Sequence, residues 1–128
     1  METNPLQQSV FLVIKDHQTK LFAATTRPDS SAIGLPGGKI ECGETLLDAA
    51  MREAHEEGWL VELRDTSFSI MQTIVDDEKV FHWIKPNVRR IDVLPDYKEK
   101  GRIKPLWATV EEVAAFGKGN QFLLSKSV

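Results

Sequence analysis

Cysteine occurs once in the 128 residues, at position 42. One thiol cannot close an intramolecular disulfide, which points to a reducing, cytoplasmic setting and a fold without covalent staples. Histidine is also scarce, and His17, His55 and His82 make no zinc-binding pair. No apolar run reaches the length of a membrane span, and the polar start METNPLQQS has no signal-peptide pattern, so no membrane partner is expected. A net charge of −3 argues against a long nucleic-acid groove as the main function. Repeats, low-complexity tracts and linkers are missing as well. What remains is a single domain, residues 1–128, whose 41% hydrophobic and 27% charged residues suffice to bury a core unaided.

The chain is organised around residues 37–60, GGKIECGETLLDAAMREAHEEGWL. Glu53, Glu56 and Glu57 fall at i, i+3 and i+4 of an expected helix and so share one face. Leu47, Ala50, Met51, Ala54 and Gly58 form a neighbouring apolar stripe that can pack on a sheet. Like charges four residues apart destabilise a helix by a few tenths of a kcal/mol, roughly 0.2–0.5, so helix stability does not account for the glutamates. A cation is expected among them.

These residues resemble the box of the Nudix hydrolases, G-x5-E-x7-R-E-U-x-E-E-x-G-U, with U a bulky aliphatic. Gly38, Glu44, Arg52, Glu53, Glu56, Glu57 and Leu60 lie on it in register, over residues 38–60, with the small Ala54 at the first U. Ordinary residue frequencies give the polar and glycine positions a chance match of about one in ten million per window. One position departs: Trp59 stands where the family has glycine, and Gly58 precedes it. Gly58 is therefore expected to take the left-handed cap, ending the helix about one residue early.

Around the box, Ser9–Lys15 and Lys20–Arg27 read as strands, and RPDSSAIGLPGG as loop. A short extended piece, Lys39–Glu41, precedes a helix beginning at Glu44 and Thr45. Residues 60–75 read as strand interrupted at Arg64-Asp65-Thr66. Lys79–Ile84 is a further strand, broken off by Pro86-Asn87. Ile103–Val110 is a strand, Val110–Phe116 a second helix, and Phe122-Leu123-Leu124 a docking C-terminal turn. The pattern is α/β (α+β): a mixed β-sheet with one central helix and a C-terminal helix, which resembles the Nudix α/β/α sandwich.

Clustered carboxylates with no cysteine or histidine favour Mg²⁺ or Mn²⁺ over zinc. The resemblance implies that Glu53, Glu56 and Glu57 bind the metal with the carbonyl of Gly38. It also implies that Arg52 orients one of the glutamates and that Glu44 is a metal or supporting carboxylate. Many family members carry a glutamate about five residues before the late-strand tryptophan. Here that place is Arg102, so the general base is either Glu99, three residues upstream, or a box glutamate, with Glu56 preferred.

By the same resemblance Arg27 and Lys39 meet phosphates, and the substrate is a nucleoside diphosphate linked to another moiety, most simply a nucleoside triphosphate. Phe81 and Trp83 share a strand face and serve either to stack a base or to pack the core. The cations between Lys85 and Lys104 read either as a solvated edge or as a phosphate-attracting rim. The expected partner is a small-molecule nucleotide, and a homodimer is compatible with the chain. The alternative function is a catalytically silent nucleotide-binding or regulatory module.

Overall fold

Alternation along the first strand sets the layering. Val10, Leu12 and Ile14 point to one side of β1 (Gln7–Leu12) and its extension, and Phe11 and Val13 point to the other. Both sides are buried, so helices must cover both faces of the sheet. The computed structural model describes residues 6–125 and 128; residues 1–5, 126 and 127, part of the domain expected from the sequence, lie outside these.

The elements follow in the order β1, β2 (Phe22–Thr26), β3 (Ile33–Gly34), β4 (Gly37–Lys39), α1 (Leu46–Glu56), β5 (Trp59–Asp76), β6 (Lys79–Val93), β7 (Lys104–Ala108) and α2 (Val110–Ala114). A 3₁₀ segment, Lys118–Leu124, closes the described chain. One sheet has the order β4-β1-β6-β5, with β1 and β6 parallel, and a second has the order β3-β2-β7. The end of β1 crosses between them, through the Lys15↔Phe22 bridge and the Ala23 N–H to Ile14 carbonyl bond. This is the mixed-sheet α+β architecture expected.

Helix α1 packs on one face through Leu47, Ala50 and Ala54, against Val10, Leu12, Ile84 and Trp59. On the other face α2 and the 3₁₀ segment contribute Val113 and Leu123 to a cluster with Val13, Phe22, Leu35 and Trp83.

Several boundaries differ from the sequence reading. Helix α1 starts at Leu46, not at Glu44, because Thr45 is its N-cap: Thr45 Oγ1 accepts the Asp48 N–H at 3.1 Å, and Asp48 Oδ2 accepts the Thr45 N–H at 3.3 Å. The extended piece before it is Gly37–Lys39, which pairs with β1, and the loop after β2 contains β3. Residues 64–67 do not end a strand. They bulge out of a continuous β5, pinned by Asp65, whose carboxylate accepts from the Ser67 N–H and from Asn87 Nδ2. Pro86 sits opposite that bulge, beyond the last β1 pair at Leu12↔Ile84, where a missing N–H costs the ladder little; β6 therefore runs through it.

Helix α1 ends at Glu56 and Gly58 adopts φ +104, as its position one residue ahead of the box glycine implied. A Cβ there would also lie 2.8 Å from Pro105 Cγ and 3.1 Å from Tyr97 Cε1. Trp59 then opens β5 with its ring 1% exposed, its Nε1–H donating to the Ala24 carbonyl at 3.0 Å and its face against the edge of Trp107. Leu60, the last aliphatic of the box, is turned outward.

Candidate active site

The acidic face of α1 lies over β4. Glu53 is seated directly on Gly38: a Cβ at that glycine would be 2.6 Å from the Glu53 carboxyl carbon. A side chain there would displace the Glu53 carboxylate from its seat and from its bond with Arg52. The Gly37 N–H donates to Glu57 Oε1 at 2.9 Å, and Glu57 is 6% exposed.

The cation among the carboxylates is Arg52. Its Nε and Nη2 donate to the two oxygens of Glu44 at 2.8 and 3.0 Å, a two-point pair that fixes the guanidinium plane. Nη1 donates to Glu53 at 3.0 Å and to Glu56 Oε2 at 3.4 Å, and Nη2 also reaches the Lys39 carbonyl at 3.0 Å. Lys98 closes on Glu56 Oε1 at 3.3 Å. Glu44 thus stands behind Arg52, and its own N–H bonds back to Glu41.

The environments push these acids apart. The hydrogen bond from Arg52 holds the Glu44 carboxyl below its ordinary value, and Glu44 in return raises Arg52. Burial raises Glu53 despite Arg52. Glu57 is pushed up to about 8, first by burial and then by the charges of Glu53, Glu99 and Glu56, against the lowering bond from Gly37.

Among the described residues no three Asp, Glu, His or Cys side chains already converge as a metal cage, because Arg52 draws Glu53 and Glu56 to itself. The donor set nonetheless fits a hard divalent cation. It is all carboxylate and backbone oxygen, and magnesium keeps several waters and needs only one or two protein carboxylates. The cradle of Gly38 under Glu53 brings backbone to the same point.

Glu99 joins the cluster from the loop after β6: its N–H donates to the Glu56 carbonyl at 2.8 Å, and its carboxylate meets Arg102 Nη1 at 3.5 Å. Arg27 touches no box carboxylate and lines a cleft with Arg102, and Lys39 stands exposed at the end of β4. His55 is on the surface. The basic stretch divides: Lys98 bonds to Glu56 and Arg102 to Glu99, whereas Lys85, Arg89 and Arg90 line a groove with Lys15 and His17 that includes no box residue.

A slot of about 630 Å³ begins where β3 leads into the box loop, lined by Phe11, Leu35, Phe81, Trp83, Gly119 and Asn120 among others. Phe81 and Trp83 do share a face, and Phe11 stacks on Phe81 with centroids 6.3 Å apart and 17° between planes. Asn120 Oδ1 accepts from Trp83 Nε1 at 2.9 Å, and Gln72 holds the Gly119 carbonyl at 2.8 Å, so the 3₁₀ segment is pinned over the aromatics. The sequence reading missed Phe11, Leu35, Gly119 and Asn120. The one signal was the amide pair Asn120-Gln121 between Gly119 and the apolar tail.

The sequence profile of the NUDIX domain family matches residues 5–124, and the chain belongs to that family, whose members hydrolyse pyrophosphate bonds. An ADP-ribose pyrophosphatase of Methanocaldococcus jannaschii is 38% identical over 50 residues, a match covering 39% of this chain and 30% of that protein's length. Among solved structures, a MutT from the pair Aliivibrio salmonicida and Vibrio cholerae shares the fold at TM-score 0.66 and 24% identity, over 93% of this chain and 94% of that one. A MutT NUDIX hydrolase from Burkholderia pseudomallei does so at TM-score 0.67 and 18% identity, over 98% and 100%. Among the described residues no helix is long and apolar enough to cross a membrane.

Proposed function

We propose that this chain is a divalent-metal-dependent pyrophosphohydrolase that cleaves a phosphoanhydride of a nucleoside diphosphate linked to another moiety, a nucleoside triphosphate first of all. The observation that carries this reading is the Arg52-centred carboxylate face resting on Gly38, together with an aromatic slot that begins at the loop leading into the box.

Glu53, Glu56 and Glu57, with the Gly38 carbonyl, would hold Mg²⁺ or Mn²⁺. A cation held there supplies charge neutralisation at the pyrophosphate oxygens and makes adjacent water easier to deprotonate. Arg52 fixes Glu53 and Glu56 in direction, and Glu44 fixes Arg52. The base would lie against the aromatic face that Phe81 and Trp83 share, which orients the substrate without charge. Lys39 and Arg27 face the phosphates. Both oxygens of Glu56 accept from cations, Lys98 on one and Arg52 on the other, whereas Glu99 Oε1 has no partner among the described residues. Glu99 is therefore the better-placed group to take the proton from the attacking water.

A panel of nucleotides with Mg²⁺ or Mn²⁺, read as phosphate released after added pyrophosphatase and phosphatase, tests the proposal. Turnover lost on Glu56→Gln and lowered by Glu99→Gln is the expected result. No turnover across the panel together with measurable nucleotide binding would replace this reading by a silent binding module.

A further inference from the structure

At the end of the β2–β7 ladder, just past the Thr26↔Lys104 pair, the two chains part around a cleft of about 320 Å³. Its walls are Arg27, Pro28 and Asp29 from one loop and Gly101, Arg102 and Ile103 from the other. Two guanidiniums face a single carboxylate. The Arg27 side chain has no hydrogen-bond or ion-pair partner among the described residues. Arg102 has one contact, Nη1 to Glu99 at 3.5 Å, which leaves most of its five N–H donors unused.

The cleft is tied to the box by backbone. The Glu99 N–H donates to the Glu56 carbonyl at 2.8 Å, and the N–H groups of Arg102 and Ile103 donate to the Glu99 carbonyl at 2.9 and 3.0 Å. Tyr97 adds a hydroxyl bond to the Ile103 carbonyl at 2.8 Å. Arg102 is thus held at a set place relative to Glu56, although its side chain reaches into solvent.

Resting on the reading above, we propose that Arg102, together with Arg27 across the cleft, receives the terminal phosphate of the substrate and thereby selects nucleoside triphosphates over diphosphates capped by a neutral sugar. A terminal phosphate presents three acceptor oxygens with nearly two charges, the group that two planar forked donors bind best. The cleft volume admits such a group. A neutral sugar hydroxyl cannot use either charge.

The test compares a nucleoside triphosphate with ADP-ribose on wild type, Arg102→Gln and Arg102→Lys, alongside calorimetric titration of inorganic tripolyphosphate. Arg102→Gln should lower the triphosphate to ADP-ribose ratio of kcat/KM at least about tenfold, chiefly through KM, and weaken tripolyphosphate binding by a similar factor. Arg102→Lys should recover part of both. Equal losses on the two substrates, or a fall confined to kcat, would overturn the proposal and make Arg102 a support for Glu99 alone. Should wild type hydrolyse no nucleotide, the enzymatic reading fails by itself, and the tripolyphosphate titration still decides: equal affinity in wild type and Arg102→Gln overturns the subsite.

Discussion

The acidic face of α1 and the aromatic slot meet at the loop between β3 and β4, yet they handle their contents by opposite means. On the helix face Glu53, Glu56 and Glu57 are placed by spacing within one helix and its cap, and one guanidinium ties Glu53 and Glu56 to Glu44 just ahead of it. In the slot little is local. Phe11, Leu35, the Phe81/Trp83 pair and Asn120 come from four separate stretches and meet only because β1 and β6 are parallel neighbours beneath the 3₁₀ segment. Under the proposed function the difference is a division of labour: charge for the reaction on a helix, and shape for the substrate on a surface assembled from distant stretches.

The largest expected effect falls on what the two regions share. Trp59 lies under the helix end and bonds to Ala24 of the second sheet, so Trp59→Gly should lose about 3–5 kcal/mol of stability and impair both regions together. Thermal and urea unfolding measure it, and a stabilised variant would refute the cap assigned to Gly58. Next, Glu56→Gln and Glu57→Gln should each cut kcat at least about a hundredfold while leaving unfolding midpoints near wild type without metal. Activity near wild type in both would remove the helix face from the mechanism.

Proton linkage bears on the acidic face, where burial shifts Glu57. With Glu57 raised from an ordinary 4.5 to about 8, the folded state keeps a proton that the unfolded chain has lost between those values. Stability should therefore fall as pH rises through that window, by up to about 1.4 kcal/mol per pH unit from this group. Urea unfolding at pH 5 to 8 in chelator should show the slope, and Glu57→Gln should flatten it. A slope of opposite sign in wild type would count against the burial of Glu57.

Phe81→Ala should raise KM about tenfold, the loss of one stacked base, with a much smaller change in kcat. A kcat loss as large as that of the glutamate variants would break the comparison, because the slot would then serve chemistry as well as binding. The smallest effect is Gly58→Ala, at about 1 kcal/mol for a Cβ at positive φ, increased by whatever Pro105 and Tyr97 cannot yield. Differential scanning calorimetry resolves it, and a neutral result would mean that the helix end relaxes.

Helical periodicity is a local property, so the order of residues 46–58 determined by itself which side chains share a face: Leu47, Ala50 and Ala54 inward, Glu53, Glu56 and Glu57 together. Local chemistry also determined the helix end, because an aromatic residue at positive φ is a rare outlier and Gly58 stood one place before Trp59. The cap at Thr45 and the strands around the box were legible to within a few residues for the same reason. Pro86 was misread because a proline's cost depends on whether its missing N–H faces a partner, which pairing alone settles. Which glutamate is driven up by burial, which aromatics enclose the slot, and the meeting of Arg27 with Arg102 across the β2–β7 end were decided only by tertiary structure. Burial and cleft formation are sums over segments distant in sequence, and no single stretch of the chain carries them.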